Sequence, residues 1–238
     1  MKDMILYHGS RGGIEGDIRP SSRLRCDFGR GFYMGENPMQ VKSLVTEDIS
    51  PMFYTLKLKL SEIPEDKILV LEDNEWLHAI LSHRKKVPEF NQLEVSKYWL
   101  KELQKYDVII GKIADDRMNA AMQRFTDYGL TDEGLIACLQ SVDYGNQIVA
   151  KTPFACSKIE ILSEREIFGK EADDIREYAV KKREESKYIV QEIAKKYQRK
   201  GLYLNEIIDN FKNLNNEILN YQQKTNSDKE EENSNESR

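Results

Sequence analysis

The stretch DFGRGFYMGENPMQVKSLV, from Asp27 to Val45, decides how the chain is read. Gly29 and Gly31 flank Arg30 and imply an irregular backbone that approaches something closely. Phe32 and Tyr33 then stand at a short strand. Asn37 is placed to cap a helix, and Pro38 suits its first position. A glycine-rich turn that delivers an aromatic side chain to a cleft is a small-ligand feature. Outward toward the N-terminus, LYHGS (Leu6 to Ser10) reads as a strand ending in an aromatic residue, a histidine and a glycine. Alone, a histidine at a strand end is more often structural than functional.

Beyond these segments, MILYHG, GFYM, FYTLKLKL, KILVL, DVIIG, QIVA and KIEIL read as strands from their β-branched and aromatic content. In FYTLKLKL, Phe53, Thr55, Lys57 and Lys59 alternate with Tyr54, Leu56, Leu58 and Leu60, the period of a half-buried strand. Helices are expected at about 37–47, 75–84, 91–104, 115–126 and 131–141. Thr131 with Asp132 and Glu133 starts the last of them. The helices cluster instead of alternating strictly with strands, which predicts an α+β fold rather than a doubly wound sheet.

The chain has 238 residues, with 36 Lys and Arg against 41 Asp and Glu and a net charge of −5. At roughly 150 residues per domain, that length suits one domain and an appendage. The charge gives no electrostatic push toward a nucleic-acid backbone. No apolar run reaches the ~18 residues of a membrane span. The start, MKDMILYHGS, lacks the apolar stretch of a secretory signal, so a cytoplasmic location is expected. Cys26, Cys138 and Cys156 form no CxxC pair, which argues against a disulfide framework or a structural zinc.

All six prolines and all three histidines precede residue 168. The expected division is a domain over 1–168, a helical extension over 169–223 and a disordered polar tail over 224–238. In the extension Ile189, Ile193 and Tyr197 step by four, and Gly201 offers a C-terminal stop. Leu204, Ile207, Ile208, Phe211, Leu214, Ile218 and Tyr221 then continue an apolar stripe. It reads either as a packed extension of the core or as a protein-binding arm.

Several machines are absent: there is no GxGxxG after a strand, no GxxxxGK[ST], no HExxH and no GxSxG. His78 and His83 would stand about 140° apart on a helix, which suits packing better than one metal. Asp115 and Asp116 at a helix start read as a cap. No metal is expected.

Taken together and in order, LYHGS and DFGRGFY resemble the ADP-ribosyltransferase superfamily, in its His–Tyr–Glu group. The likeness is greatest to a bacterial branch that also carries segments similar to YDVIIGKIADD (from Tyr106) and QIVAKT (from Gln147). It covers about residues 1–165 and implies a split β-sheet core. The resemblance assigns His8 to the adenosine ribose of NAD, Gly9 to the nicotinamide amide and Tyr33 to stacking on the nicotinamide ring. Gln147 falls where relatives place glutamate, facing the nicotinamide ribose. Ser10, Arg30 and Gly31 complete the expected NAD-contacting set, with Arg30 or Arg11 suited to the pyrophosphate by arginine's bidentate geometry.

What the resemblance implies is an NAD-dependent mono-ADP-ribosyltransferase, with NAD as substrate and a macromolecular acceptor. Departure of nicotinamide leaves an oxocarbenium-like ribosyl cation, which a nearby negative charge stabilises. Gln147 orients the ribose but supplies no charge, and Asp143 is the nearest substitute acid in sequence. The alternatives are an NAD glycohydrolase and a non-catalytic module that binds NAD or a partner. The resemblance further suggests a bacterial toxin or phage-defence effector, held by an antitoxin or other protein partner through residues 171–223.

Overall fold

The β-branched runs form the strands of one mixed sheet: β1 (Met4–Ser10), β2 (Phe32–Gly35), β3 (Met52–Leu58), β4 (Ile68–Val70), β5 (Val108–Lys112), β6 (Asn146–Ala150) and β7 (Ile159–Glu166). A computed structural model describes residues 1–24, 26–48, 50–84, 87–113, 119–141, 145–214 and 216–217. The strand order is β4-β5-β6-β2-β1-β3-β7. Only β4 and β5 run parallel; the other neighbours are antiparallel. With helices gathered beside this sheet, the fold is α+β.

The helices are α1 (Pro38–Ser43), α2 (Asp73–Arg84), α3 (Pro88–Asn91), α4 (Glu94–Glu102), α5 (Asn119–Thr126), α6 (Asp132–Ser141), α7 (Pro153–Cys156) and α8 (Gly169–Lys196). A further helix, α9, covers residues 204–214. Asn37 caps α1 by accepting from the Met39 and Gln40 amides, with Pro38 first in the helix. That helix stops at Ser43, short of the expected 47. The stretch expected as one helix over 91–104 divides, because the backbone turns extended at Leu93 before α4. The first C-terminal helix ends at Lys196, and Gly201, at φ 75°, serves the turn after it. Asp115, Asp116, Asp143, Ile218, Tyr221 and the 224–238 tail lie outside the described residues.

Alternation along the strands separates two cores. Ile109 and Val149 face one side, where they meet Trp76, Phe90, Phe125 and Leu135 of the helices. Val108, Ile110, Ile148 and Ala150 face the other, with Leu6, Tyr54, Leu56 and Leu58. The alternating set Tyr54, Leu56, Leu58 and Leu60 is at most 1% exposed, as the period-two pattern requires. The extension packs on both ends of this body. Ala172 and Ile175 bury against Val41, Val45 and Phe53, whereas Val190, Ala194, Leu204, Ile207 and Ile208 join the helical core. The apolar stripe therefore has a partner on its own chain from Leu204 to Phe211, whereas Leu214 is exposed.

The sheet is irregular at one joint. β1 pairs with β3 along its whole length, from Met4↔Leu58 to Ser10↔Met52. With β2 it shares a single register pair, Tyr7↔Gly35. No helix among the described residues is long and apolar enough to cross a membrane.

Candidate functional site

Where β1 and β2 part, a cavity of about 300 Å³ opens. β1 contributes His8 and Gly9 to its wall, β2 contributes Tyr33, and β6 contributes Gln147. These four come from three separate motifs and meet only because β2 lies between β1 and β6. Gly9 fits there because α1 lies against it: a Cβ would stand 3.0 Å from Val45 Cγ1 and 3.1 Å from the Val41 carbonyl.

His8 bridges the gap. Its Nδ1 lies 2.7 Å from the Tyr33 carbonyl oxygen, so Nδ1 carries the proton and donates. Burial lowers the pKa of His8, outweighing the opposing effect of that bond. The ring is therefore neutral at pH 7, and Nε2 is an acceptor. Phe32 backs it with ring centroids 4.3 Å apart.

Tyr33 is locked by the turn that precedes it. Its hydroxyl donates to the Gly29 carbonyl at 2.7 Å and accepts from the Phe28 amide at 3.0 Å. Burial drives the phenol pKa well above its ordinary value, so the group stays protonated. With its hydroxyl occupied, the ring offers a face of fixed orientation.

Gln147, 9% exposed, spends its amide group internally. Nε2 donates to Asp27 Oδ2 at 2.8 Å and to the Lys112 carbonyl at 3.0 Å. Asp27 in turn accepts from Arg84 Nε and Nη2, each at 2.7 Å from Oδ1. The Asp27 and Arg84 side chains are each 14% exposed, so this ion pair sits in a largely dry wall of the cavity. Asp27 thus brings a carboxylate to Gln147. Sequence reasoning passed over it although it heads DFGRGFY, and Arg84 left no signal in the sequence.

The other expected residues lie elsewhere. Ser10 Oγ donates to the Gly13 carbonyl at 2.8 Å and closes a turn. Arg11 Nε stands 3.3 Å from Asp48 Oδ2 on the surface. Gly31 presses the turn onto β6, where a Cβ would come within 2.3 Å of Val149 Cγ1. Arg30 lines a second cavity behind the turn. Cys26 lines the first cavity, whereas Cys138 and Cys156 are buried, with thiols pushed up to about 12 and about 11. His78 packs between Phe90 and Phe211 at ring distances of 6.0 and 5.5 Å. Among the described residues no cluster of His, Cys, Asp and Glu forms a metal centre.

The sequence model of DUF3990, described as a protein of unknown function, matches residues 4–161. The chain belongs to the DUF3990 family. No curated protein and no solved structure matches it. The DUF3990 match begins at the first residue of β1 and ends inside β7, so it takes in every residue that lines the first cavity. Helices α8 and α9 fall outside it.

Proposed function

We propose that this DUF3990 chain is an NAD-dependent mono-ADP-ribosyltransferase that acts on a macromolecule and releases nicotinamide. One observation carries the reading: a single cavity collects His8, Gly9, Tyr33 and Gln147, the residues that the resemblance assigns to NAD. The single β1–β2 pair supports the split-sheet core that the same resemblance implies.

The cavity suits this ligand chemically. About 300 Å³ lies at the low end for small-molecule sites, enough for the nicotinamide riboside half rather than the whole dinucleotide. The Tyr33 ring is a platform for a flat pyridinium. Neutral His8 presents Nε2 as an acceptor for a ribose hydroxyl. Because both Gln147 amide hydrogens are engaged, its Oε1 is the atom left to accept from the nicotinamide ribose.

Cleavage of the N-glycosidic bond sends the electron pair to nicotinamide and leaves positive charge on the ribose. The Asp27 carboxylate, one hydrogen bond behind Gln147, supplies the negative field that a glutamine lacks, tempered by Arg84. An acceptor nucleophile then attacks the anomeric carbon and gives up its proton.

The test is incubation with NAD labelled in its adenine ring, together with cell lysate. Label on macromolecules supports transfer. Free ADP-ribose alone supports the glycohydrolase alternative, and binding without turnover supports a non-catalytic module. Absence of NAD binding sinks every NAD reading and leaves a module that binds a protein partner. If the chain is a toxin or phage-defence effector, its expression in bacteria arrests growth only while Tyr33 is intact.

A further inference from the structure

We propose that the second cavity, behind the Gly29–Gly31 turn, binds the phosphate of a small organic phosphate through Lys151 and Arg30. This inference does not rest on the NAD reading. The cavity measures about 580 Å³ and shares no lining residue with the first. It lies beyond the far end of β6, past Ala150, whereas Gln147 near the start of that strand faces the first cavity.

The lining is cationic. Lys151 and Arg30 are its lysine and arginine, and no carboxylate stands among the lining residues. Neither cation is in an ion pair among the described residues, in a chain whose net charge is −5. Lys151 Nζ donates to the Phe28 carbonyl, which leaves two of its three donors for a ligand. Its half-buried position makes an uncompensated ammonium unfavourable, and an anion supplies the compensation. Arg30, exposed at the rim, adds the planar fork that matches phosphate oxygens.

The remaining lining gives the organic part its place. Leu24, Leu100 and Tyr106 supply apolar and aromatic surface beside the cations. A phosphate ester with an aromatic or other flat group satisfies both halves of the cavity; a bare inorganic anion satisfies one.

Binding carries a proton signature. Burial lowers the Lys151 pKa to about 8, with nearby Cys26 opposing the shift. The other titratable groups around the cavity are Arg30, His83 and Tyr106, with Asp107 held behind Thr152 at 2.6 Å and Glu102, paired with Lys105, behind the Tyr106 hydroxyl at 3.2 Å. A dianion beside Lys151 raises that pKa, so binding at pH 8 draws protons onto the protein. A phosphate monoester, with a second pKa of about 6, is already dianionic there and takes up none itself.

The experiment is calorimetric titration of the full chain with phenyl phosphate and, separately, sulfate at pH 8 in two buffers of different ionisation enthalpy. Phenyl phosphate is expected to bind roughly tenfold tighter than sulfate, from burial of its ring. Its heat is expected to depend on the buffer. Arg30→Met, which removes an exposed side chain and leaves the fold intact, is expected to weaken binding roughly tenfold. Lys151→Met is expected to weaken it further and abolish the buffer dependence. His8→Gln, in the other cavity, leaves the binding unchanged. The proposal is overturned by no binding at 10 mM or by equal affinity in Arg30→Met. Loss of binding in His8→Gln also overturns it, by placing the anion in the first cavity. The NAD-labelling experiment is unaffected by any of these results.

Discussion

Gln147 donates its amide to Asp27 Oδ2 at 2.8 Å, a bond between residues 120 positions apart in the chain. It makes one acceptor unit from a glutamine and a carboxylate on different elements. Asp27→Asn keeps an acceptor for Gln147 and removes the charge. Turnover is expected to fall on the order of 10- to 100-fold, less than the 100- to 1,000-fold of a group touching the reacting atoms. The Kd for NAD changes little. Equal losses in kcat and in NAD affinity would make Asp27 a structural residue only.

Tyr33 separates into a ring and a hydroxyl. Tyr33→Phe keeps the platform but strips the turn of its bonds to Gly29 and Phe28. A loss of about 1–3 kcal/mol in folding stability is expected, with NAD affinity largely kept. Tyr33→Ala removes the platform as well and is expected to abolish measurable NAD affinity. Unchanged turnover in Tyr33→Ala would show that the ligand sits elsewhere.

Thiol accessibility reports the cavity directly. Cys26 lines it, whereas Cys138 and Cys156 are at most 2% exposed, with pKa values near 12 and 11. Mass spectrometry after brief alkylation at pH 8 is expected to find one modified thiol, Cys26. NAD at saturating concentration slows that reaction. Labelling of Cys138 before Cys26 would contradict the burial pattern.

Acid weakens the fold through two histidines. Burial lowers the pKa of both His8 and His78 below the ordinary 6.5. As pH falls through about 6.5, the unfolded chain takes up protons that the folded chain refuses, so stability declines until the folded pKa values are reached. Urea midpoints are expected to drop between pH 7.5 and 5, and to drop less in His78→Gln. Glu171 acts in a lower window: Arg165 first, then Lys42, depress its pKa to about 2, so its contribution is present above about 4.5 and disappears as pH falls toward 2.

Removal of residues 169–238 tests the extension. The cut exposes core surface otherwise covered by Val190, Ala194, Leu204, Ile207 and Ile208. The remainder is expected to aggregate or to bind a hydrophobic dye. A monomeric, cooperatively folding 1–168 fragment would favour the protein-binding arm instead.

The strands were legible because each is a short local run whose composition and period suffice. FYTLKLKL shows this best: its leucine face is the buried face. Local chemistry likewise placed Asn37 and Pro38 at the start of α1. The cavity was legible only as far as motifs reach. His8, Tyr33 and Gln147 stand in recognisable segments, but the Asp27–Arg84 pair joins residues 57 positions apart and arises from tertiary packing alone. Arg30 and Gly31 share a motif with Tyr33, yet the positive φ of 78° at Gly29 swings the turn so that Arg30 looks to the opposite side. Proximity in sequence was a poor guide there. The extension was ambiguous for the same reason: a helical stripe does not say whose surface it covers.

The joint at Tyr7↔Gly35 has a mechanical consequence. A sheet whose halves share a full ladder is held by its backbone, whereas here the seam has one backbone pair and the His8 bond, and side chains close the rest: Leu6 against Phe32 and Met34, and Val41 of α1 over both Gly9 and Gly35. Each of the two hydrogen bonds is worth on the order of 1 kcal/mol, so it is mainly side-chain packing that sets the width of the mouth. Behind α1 stands α8, a rod of 28 residues, about 42 Å long. Lys42 of α1 grips its first turn through Glu171, and α5 and α6 hold its far end. The gape of the site is thus set through α1 and the Lys42–Glu171 pair by a helix that lies outside the DUF3990 match, as a clasp is set by a brace.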